Sequence, residues 1–267
     1  MTALPTRKHE DWRYSDHVAL GEAWPLRLPA ARTIDVAVGE TRAVTERLGS
    51  ADLSGDDVVV TVGDGGRLTL AVAQTRAADA VTMQLYTLAV GADAHVRIDI
   101  LNSGSRFGRI ALDVTLGARA TFELGGLILG RGDQTLEIVT TLRHVAPGAV
   151  SRQTVRVVVN DRATGSFLGK VAVAREGQQT DAAQSVKALL LSRTATANAR
   201  PELEIFADDV KCAHGATVGE LDRQALFYLA SRGVGPAEAT ALLTEAFLGD
   251  AGLPEMLYEE AIAWLRA

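Results

Sequence analysis

Cysteine is almost absent: 267 residues contain one, Cys212. An intramolecular disulfide is therefore excluded, and with it the disulfide-stapled secreted folds. A self-contained iron–sulfur centre is excluded as well, because such centres take about four protein ligands, mostly thiolates. No apolar run reaches transmembrane length, and the opening MTALPTRKHEDWRYSD is polar and charged. Neither a spanning helix nor a signal peptide is read from it, so no membrane association and a cytoplasmic location are expected. There is no long basic run, and the formal net charge is −6. That balance argues against nucleic-acid binding, which needs clustered Lys and Arg to neutralise phosphates.

Catalytic signatures are missing too. The chain has no Gly-x-Ser-x-Gly elbow, no His-Glu-x-x-His and no Cys-x-x-Cys. Gly165-Ser166-Phe167-Leu168-Gly169-Lys170-Val171 misses phosphate-loop spacing by one residue and has Val171 in place of the magnesium-binding hydroxyl. No helix follows it, so it reads as a turn and a strand. Gly63-Asp64-Gly65-Gly66 lacks the dinucleotide pattern and reads as a turn.

What is present is β-structure. Runs of about five residues rich in β-branched and aliphatic side chains recur from residue 34 to residue 218, which is read as one β body after an N-terminal segment 1–33. They include Val58–Val62, Leu68–Val72, Met83–Val90, Val96–Ile100, Ile110–Leu116, Thr121–Leu124, Leu136–Leu142, Val155–Val159 and Lys170–Val173. Most are closed by Gly, Asp or Asn, the punctuation of strands and turns. Sandwich, closed barrel and β-helix all fit this pattern. The number of short strands, successive apolar residues such as Leu127-Ile128-Leu129, and an aromatic content of 5% favour a β-helix, although no repeat of fixed period is found.

From residue 219 to 267 the period becomes helical. Leu221, Ala225, Leu226 and Leu229 share one face, ended by Gly233. Pro236 starts a second helix with Ala239, Leu242, Leu243 and Phe247 as its stripe, stopped by Gly249. Pro254 opens a third with Leu257, Ala261, Ile262 and Leu265. These stripes either pack on the β body or leave a face for a partner.

Of the five histidines, His9, His17, His95 and His144 are read as structural. Cys212 and His214 are the candidate site. In an extended segment, residues two apart point to the same side, roughly 6–7 Å from each other. A thiol and an imidazole so placed can bind a soft or borderline metal or share an interface. The alternative is a buried cysteine beside a hydrogen-bonded histidine. Asp208 and Asp209 could cap the turn, bond His214 or add ligands.

The stretch Arg200-Pro201-Glu202-Leu203-Glu204-Ile205-Phe206-Ala207-Asp208-Asp209-Val210-Lys211-Cys212-Ala213-His214-Gly215-Ala216-Thr217-Val218-Gly219 resembles the SufB/SufD family of iron–sulfur cluster assembly proteins. The resemblance continues through Leu221-Asp222, Ala225 to Leu229 and Ser231 to Val234. Upstream, Gln179-Thr180-Asp181-Ala182, Gln184 and Leu189 to Ser192 are similar to the family's preceding block, and Pro5 to Tyr14 to its entry motif. The Cys-x-His-Gly form is the SufD-like one. SufB-like chains carry a cysteine where Val186 stands, and the entry motif begins at residue 5, where longer relatives have a helical segment before it.

The resemblance implies a mostly β protein: a right-handed parallel β-helix with a small C-terminal α-helical region. It implies a non-catalytic scaffold subunit of the SUF complex. Its partners would be a SufB-like paralogue, paired through the β-helix, and a SufC-like ATPase docked on the C-terminal helices; for the chain alone, monomer and homodimer are both open. It maps the family's metal-associated histidine onto His214 and the neighbouring cysteine onto Cys212. No cofactor would be tightly bound by the chain alone; iron or a nascent iron–sulfur cluster would be shared with the partner at the subunit interface. The competing class is a stand-alone β-helix enzyme acting on polysaccharide or acyl donors, which would need convergent carboxylates on adjacent rungs. Asp99, Asp113, Glu123 and Glu137 are its candidates, with solvated outward carboxylates as the ordinary explanation.

Overall fold

The structure is a computed structural model that describes residues 4–25, 30–48, 55–77 and 79–267; within the N-terminal segment 1–33, residues 1–3 and 26–29 lie outside the described set. The strands, in chain order, are β1 (Arg32–Val36), β2 (Thr41–Leu48), β3 (Gly55–Val62), β4 (Arg67–Gln74), β5 (Val81–Val90), β6 (His95–Asn102) and β7 (Phe107–Leu116). They continue with β8 (Thr121–Gly130), β9 (Thr135–His144), β10 (Val150–Val159), β11 (Thr164–Val173), β12 (Thr180–Leu190), β13 (Thr196–Ile205) and β14 (Val210–Gly219). Helix α1 (His17–Ala23) precedes them, and α2 (Arg223–Ser231), α3 (Pro236–Gly249) and α4 (Glu255–Arg266) follow.

Odd-numbered strands form one seven-stranded sheet and even-numbered strands another, each in simple sequential order. Every pairing is parallel. The chain is thus a parallel β-solenoid, the expected β-helix, in which each turn adds one strand to each sheet. The step is not constant, which is why no fixed repeat is visible: Phe107 lies on Val81, 26 residues on, but Thr196 lies on Thr164, 32 residues on.

Inward residues of both sheets build a continuous core of Val, Ile and Leu, with Tyr86, Phe122 and Phe167 as its largest side chains. Turns are stacked as well. Gly65 N donates to Ala92 O at 2.8 Å, Asp93 N to Ala118 O at 2.8 Å, Arg119 N to Pro147 O at 2.9 Å and Gly148 N to Gln178 O at 2.8 Å. The donors Gly65, Asp93, Arg119 and Gly148 all have positive φ. Left-handed residues suit Gly and Asp, so the recurring Gly and Asp punctuation is the signature of this corner.

The strands are mostly ten residues long, twice the length read from the apolar runs. Polar residues such as Ser151 to Thr154 in β10 and glycines in β8 and β11 make up the difference. Gly165 and Gly169 are not in a turn; they lie within β11, where a Cβ would stand 2.5 Å from Val157 Cγ1 and from the Phe167 ring, respectively. The phosphate-loop-like segment is thus a packed interior strand.

The even sheet is buried on both faces. Ile128 points into the core, whereas Leu127 and Leu129 join Ala71, Ala73, Leu101, Val158 and Leu189 in a second apolar cluster under α3 and α4. That explains the unbroken apolar run. The odd sheet is covered by the N-terminal segment. Asp16 caps α1, its Oδ1 accepting from Val18 N at 3.0 Å and Ala19 N at 2.9 Å. Ala19 and Leu20 pack on Phe107. Below them Arg109 Nη1 donates to Glu137 Oε2 at 2.6 Å and to the Asp11 carbonyl at 2.7 Å, with Trp12 stacked 4.0 Å from the guanidinium.

Candidate functional site

The terminal turn of the solenoid is formed by β13 and β14. Among the described residues each pairs on one side only, β13 with β11 and β14 with β12. Pro201 within β13 fits this position, since a residue with no N–H is confined to sheet edges. The core end is uncovered too: Ile205 is 39% exposed and Val218 49% exposed.

Register fixes which side chains face inward there. On β12 the buried inward positions are Thr180, Ala182, Gln184, Val186 and Ala188; Leu189, buried as well, faces α3 and α4. One turn on, Val210, Cys212, His214, Ala216 and Val218 stand directly above them. The structure therefore brings Cys212 and His214 together on the inner face of β14. Cys212 is half-buried against the core, and burial pushes its thiol up despite a hydrogen bond with the Ala182 backbone. His214 is exposed at the open mouth. Asp208 and Asp209 sit in the preceding turn, both exposed; Asp209 O accepts from Gln179 N at 2.6 Å. Among the described residues no hydrogen bond joins them to His214.

Val186, where SufB-like chains carry a cysteine, is 1% exposed and lies beneath Ala216. Among the described residues no three His, Cys, Asp or Glu side chains gather as a metal-holding group. Cys212 and His214 are a two-donor set, and a metal there would draw its other ligands from elsewhere.

The remaining candidates separate. His95 begins β6, and His144 ends β9 fully buried, with Nε2 3.0 Å from Ser151 Oγ and Nδ1 3.4 Å from Thr180 Oγ1. His17 Nε2 meets the Trp12 carbonyl at 2.8 Å, and His9 is exposed. The four carboxylates do not converge. Asp99 and Glu123 belong to the even sheet and share Arg97; Asp113 and Glu137 belong to the odd sheet and pair with Arg143 and Arg109. Asp99 and Glu137 are buried, not solvated.

One residue at the site was read only as part of a similar block. Gln184 is a polar side chain in the inward phase of a strand, and that phase was the signal that could have singled it out. Sequence reasoning also left open which helical stripe stays uncovered. Helices α3 and α4 pack on the even sheet, held by ion pairs from Arg47 to Glu260 and from Lys187 to Asp250 and by Arg131 stacked on Trp264 at 4.2 Å. In α2 no residue is fully buried; Phe227 is 77% exposed, and Tyr228 and, on α3, Leu242 are also exposed. An apolar groove of about 340 Å³ runs beside them, lined by Leu189, Val218, Leu221, Ala225, Leu243 and Phe247.

Fold and site together define a class: parallel β-solenoids with an open final turn carrying a thiol and an imidazole, and with C-terminal helices laid on one sheet. The model of the SUF-system iron–sulfur cluster assembly SufBD core domain matches residues 32–247, and the chain belongs to that family. It is 33% identical over 190 residues to an iron–sulfur cluster assembly SufBD family protein of Synechocystis sp., covering 71% of this chain and 42% of that one. It is 34% identical over 146 residues to iron–sulfur cluster assembly protein SufD of Escherichia coli, covering 55% and 34% of the two chains. With SufD of Bacillus subtilis the identity is 34% over 122 residues, 46% and 28% of the two. The chain thus spans less than half the length of these relatives. Among the described residues no helix is long and apolar enough to cross a membrane.

Proposed function

We propose that this chain is a cytoplasmic, non-catalytic SufD-like scaffold subunit, whose open solenoid end pairs with a SufB-like partner around a nascent iron–sulfur cluster. The observation that carries the reading is the terminal turn, with two unpaired parallel edges, an uncovered core end, and Cys212 and His214 on the inner face. Unpaired edges and an uncapped solenoid end recruit a neighbour. A partner seated there brings its own donors to a site at which this chain has only two. A neutral imidazole in place of a thiolate makes the donor set less negative, which suits a site that passes its iron on. The terminal-helix region, residues 219–267, is the docking element for a SufC-like ATPase, and the uncovered α2 face supports that assignment.

The test is co-expression with the SufB-like and SufC-like proteins of the same organism, with mass and iron measured in one chromatographic peak. A mixed complex carrying iron is expected. His214→Ala is expected to remove most of that iron and to leave complex formation intact. Because the side chain is exposed, its own stability effect should stay within about 0.5 kcal/mol. Iron unchanged in that variant would refute the donor role, and elution of the chain alone would refute the scaffold role.

Phe227→Asp places a charge on the exposed α2 face. It is expected to strip the ATPase subunit from the peak while leaving the SufB-like partner and the urea midpoint unchanged, since no fully buried residue of α2 is disturbed. Co-elution of all three proteins would remove α2 from the docking surface.

A further inference from the structure

The inner column that ends at His214 turns from aliphatic to polar over its last three positions. In the even sheet, Ile98, Leu124, Gln153, Gln184 and His214 follow one another turn by turn. Gln153 and Gln184 are 2% and 3% exposed. Gln153 Oε1 accepts from Thr140 Oγ1 at 2.7 Å. Among the described residues Gln153 Nε2 and both amide atoms of Gln184 have no hydrogen-bond partner. Leaving a buried amide atom unpaired costs about 1–3 kcal/mol. Aliphatic side chains, Val44, Leu70, Ile98 and Leu124, occupy the four earlier positions of this column, so the fold itself makes no demand for amides here.

The opposite wall makes room for them. Gly169 on β11 faces Gln184, and a Cβ at Gly169 would lie 2.7 Å from Gln184 Nε2. The amide is thus confined on that side, and the unpaired group has its neighbour above it, one strand spacing of about 4.8 Å away. That neighbour is His214. In sheets, side-chain amides and ring nitrogens stacked at this spacing come within hydrogen-bond reach, as Asn and Gln ladders do.

We propose that Gln184 is a positioning residue for His214: its amide oxygen accepts one ring N–H when a partner closes the solenoid end. One tautomer is then held, and the lone pair of the other ring nitrogen is aimed at iron. Histidines that bind metals are ordinarily oriented in this way by an acceptor on the far nitrogen. Gln153 stands behind Gln184 as the next amide in the column. The inference rests on the reading of His214 as an iron donor.

The experiment uses the co-expressed complex and ferrous iron, with iron retention measured against increasing chelator. Gln184→Leu is expected to weaken retention about tenfold, the lower bound for loss of an orienting partner, while the urea midpoint holds or rises because a buried unpaired amide has been removed. Gln184→Glu, which keeps an acceptor oxygen, is expected to retain iron close to the wild-type level. In a His214→Ala background, Gln184→Leu is expected to change nothing further. Should the Leu variant fail to fold, Gln184→Met, which matches the length of glutamine, takes its place. If His214→Ala loses iron and Gln184→Leu does not, this inference fails alone. If Gln184→Leu lowers iron equally with and without His214, it acts through the fold and the inference is overturned. If His214→Ala keeps its iron, the donor reading falls and this inference with it.

Discussion

Arg109→Met is expected to lower the unfolding free energy by roughly 3–5 kcal/mol, the usual effect of removing one partner of a buried ion pair. Arg109 and Glu137 are both almost fully enclosed between the odd sheet and the N-terminal segment, 2.6 Å apart. Glu137 has little else: Ser15 Oγ donates to Oε2 at 3.0 Å, and among the described residues Oε1 has no partner. Burial already holds this carboxyl above the usual carboxylate range, outweighing the guanidinium beside it. Without Arg109 the carboxylate is stranded, and the Trp12 ring and the Asp11 carbonyl lose the cation that pins the segment. Two urea experiments check this. The deficit should shrink between pH 7 and pH 5, because protonating Glu137 removes the stranded charge. Arg109→Met combined with Glu137→Leu should recover most of the loss, since well-packed apolar replacements of a buried pair are close to neutral. A loss below about 1 kcal/mol would mean that water reaches the pair and that the N-terminal segment is loosely held.

The second large effect is acid sensitivity from His144. Burial inside the core lowers its pKa from 6.5 to about 4. Thr180 Oγ1 gives its proton to Gly177 O at 2.8 Å, so it accepts from His144 Nδ1–H, and Nε2 receives the Ser151 hydroxyl. The neutral ring is satisfied, and burial is what disfavours the charged one. The folded pKa is depressed, so the unfolded chain takes up the proton first. The stabilisation is complete above the unfolded value near 6.5 and is lost as pH falls from there towards 4. Between pH 7.5 and pH 4.5 the loss amounts to roughly 2–3 kcal/mol, at about 1.36 kcal/mol for each unit of pKa difference. His144→Gln, which does not titrate, should flatten the pH dependence of the urea midpoint by that amount. Identical slopes for the two proteins would show that the ring is reached by water and charges freely.

Much of the fold was legible because the turns repeat their chemistry. Gly63 to Gly66, Gly91 to Asp93, Gly117 and Pro147-Gly148 mark real corners, and Leu127-Ile128-Leu129, the unbroken apolar run that favoured a β-helix, lies in a sheet buried on both faces. The same logic misread Gly165 and Gly169, because a glycine demanded by close packing looks like a glycine demanded by a turn until its neighbours across the core are known. The final turns escaped the apolar pattern because β12, β13 and β14 carry Ala, Gln, Pro and His where earlier strands carry Ile, Leu and Val. They were reached through similarity of sequence. The pairing of Arg109 with Glu137 and the column beneath His214 depend on register between strands about 30 residues apart, and local periodicity does not encode register.

The open end of the solenoid also bears on how the protein must be made. Two parallel edges of ten residues each, β13 and β14, end the molecule side by side. A chain synthesised in excess of whatever covers them carries a template that any extended polypeptide can join. Under the pairing proposed for this end, matched synthesis of the partner chain would guard against aggregation alongside the stability of the chain's own core.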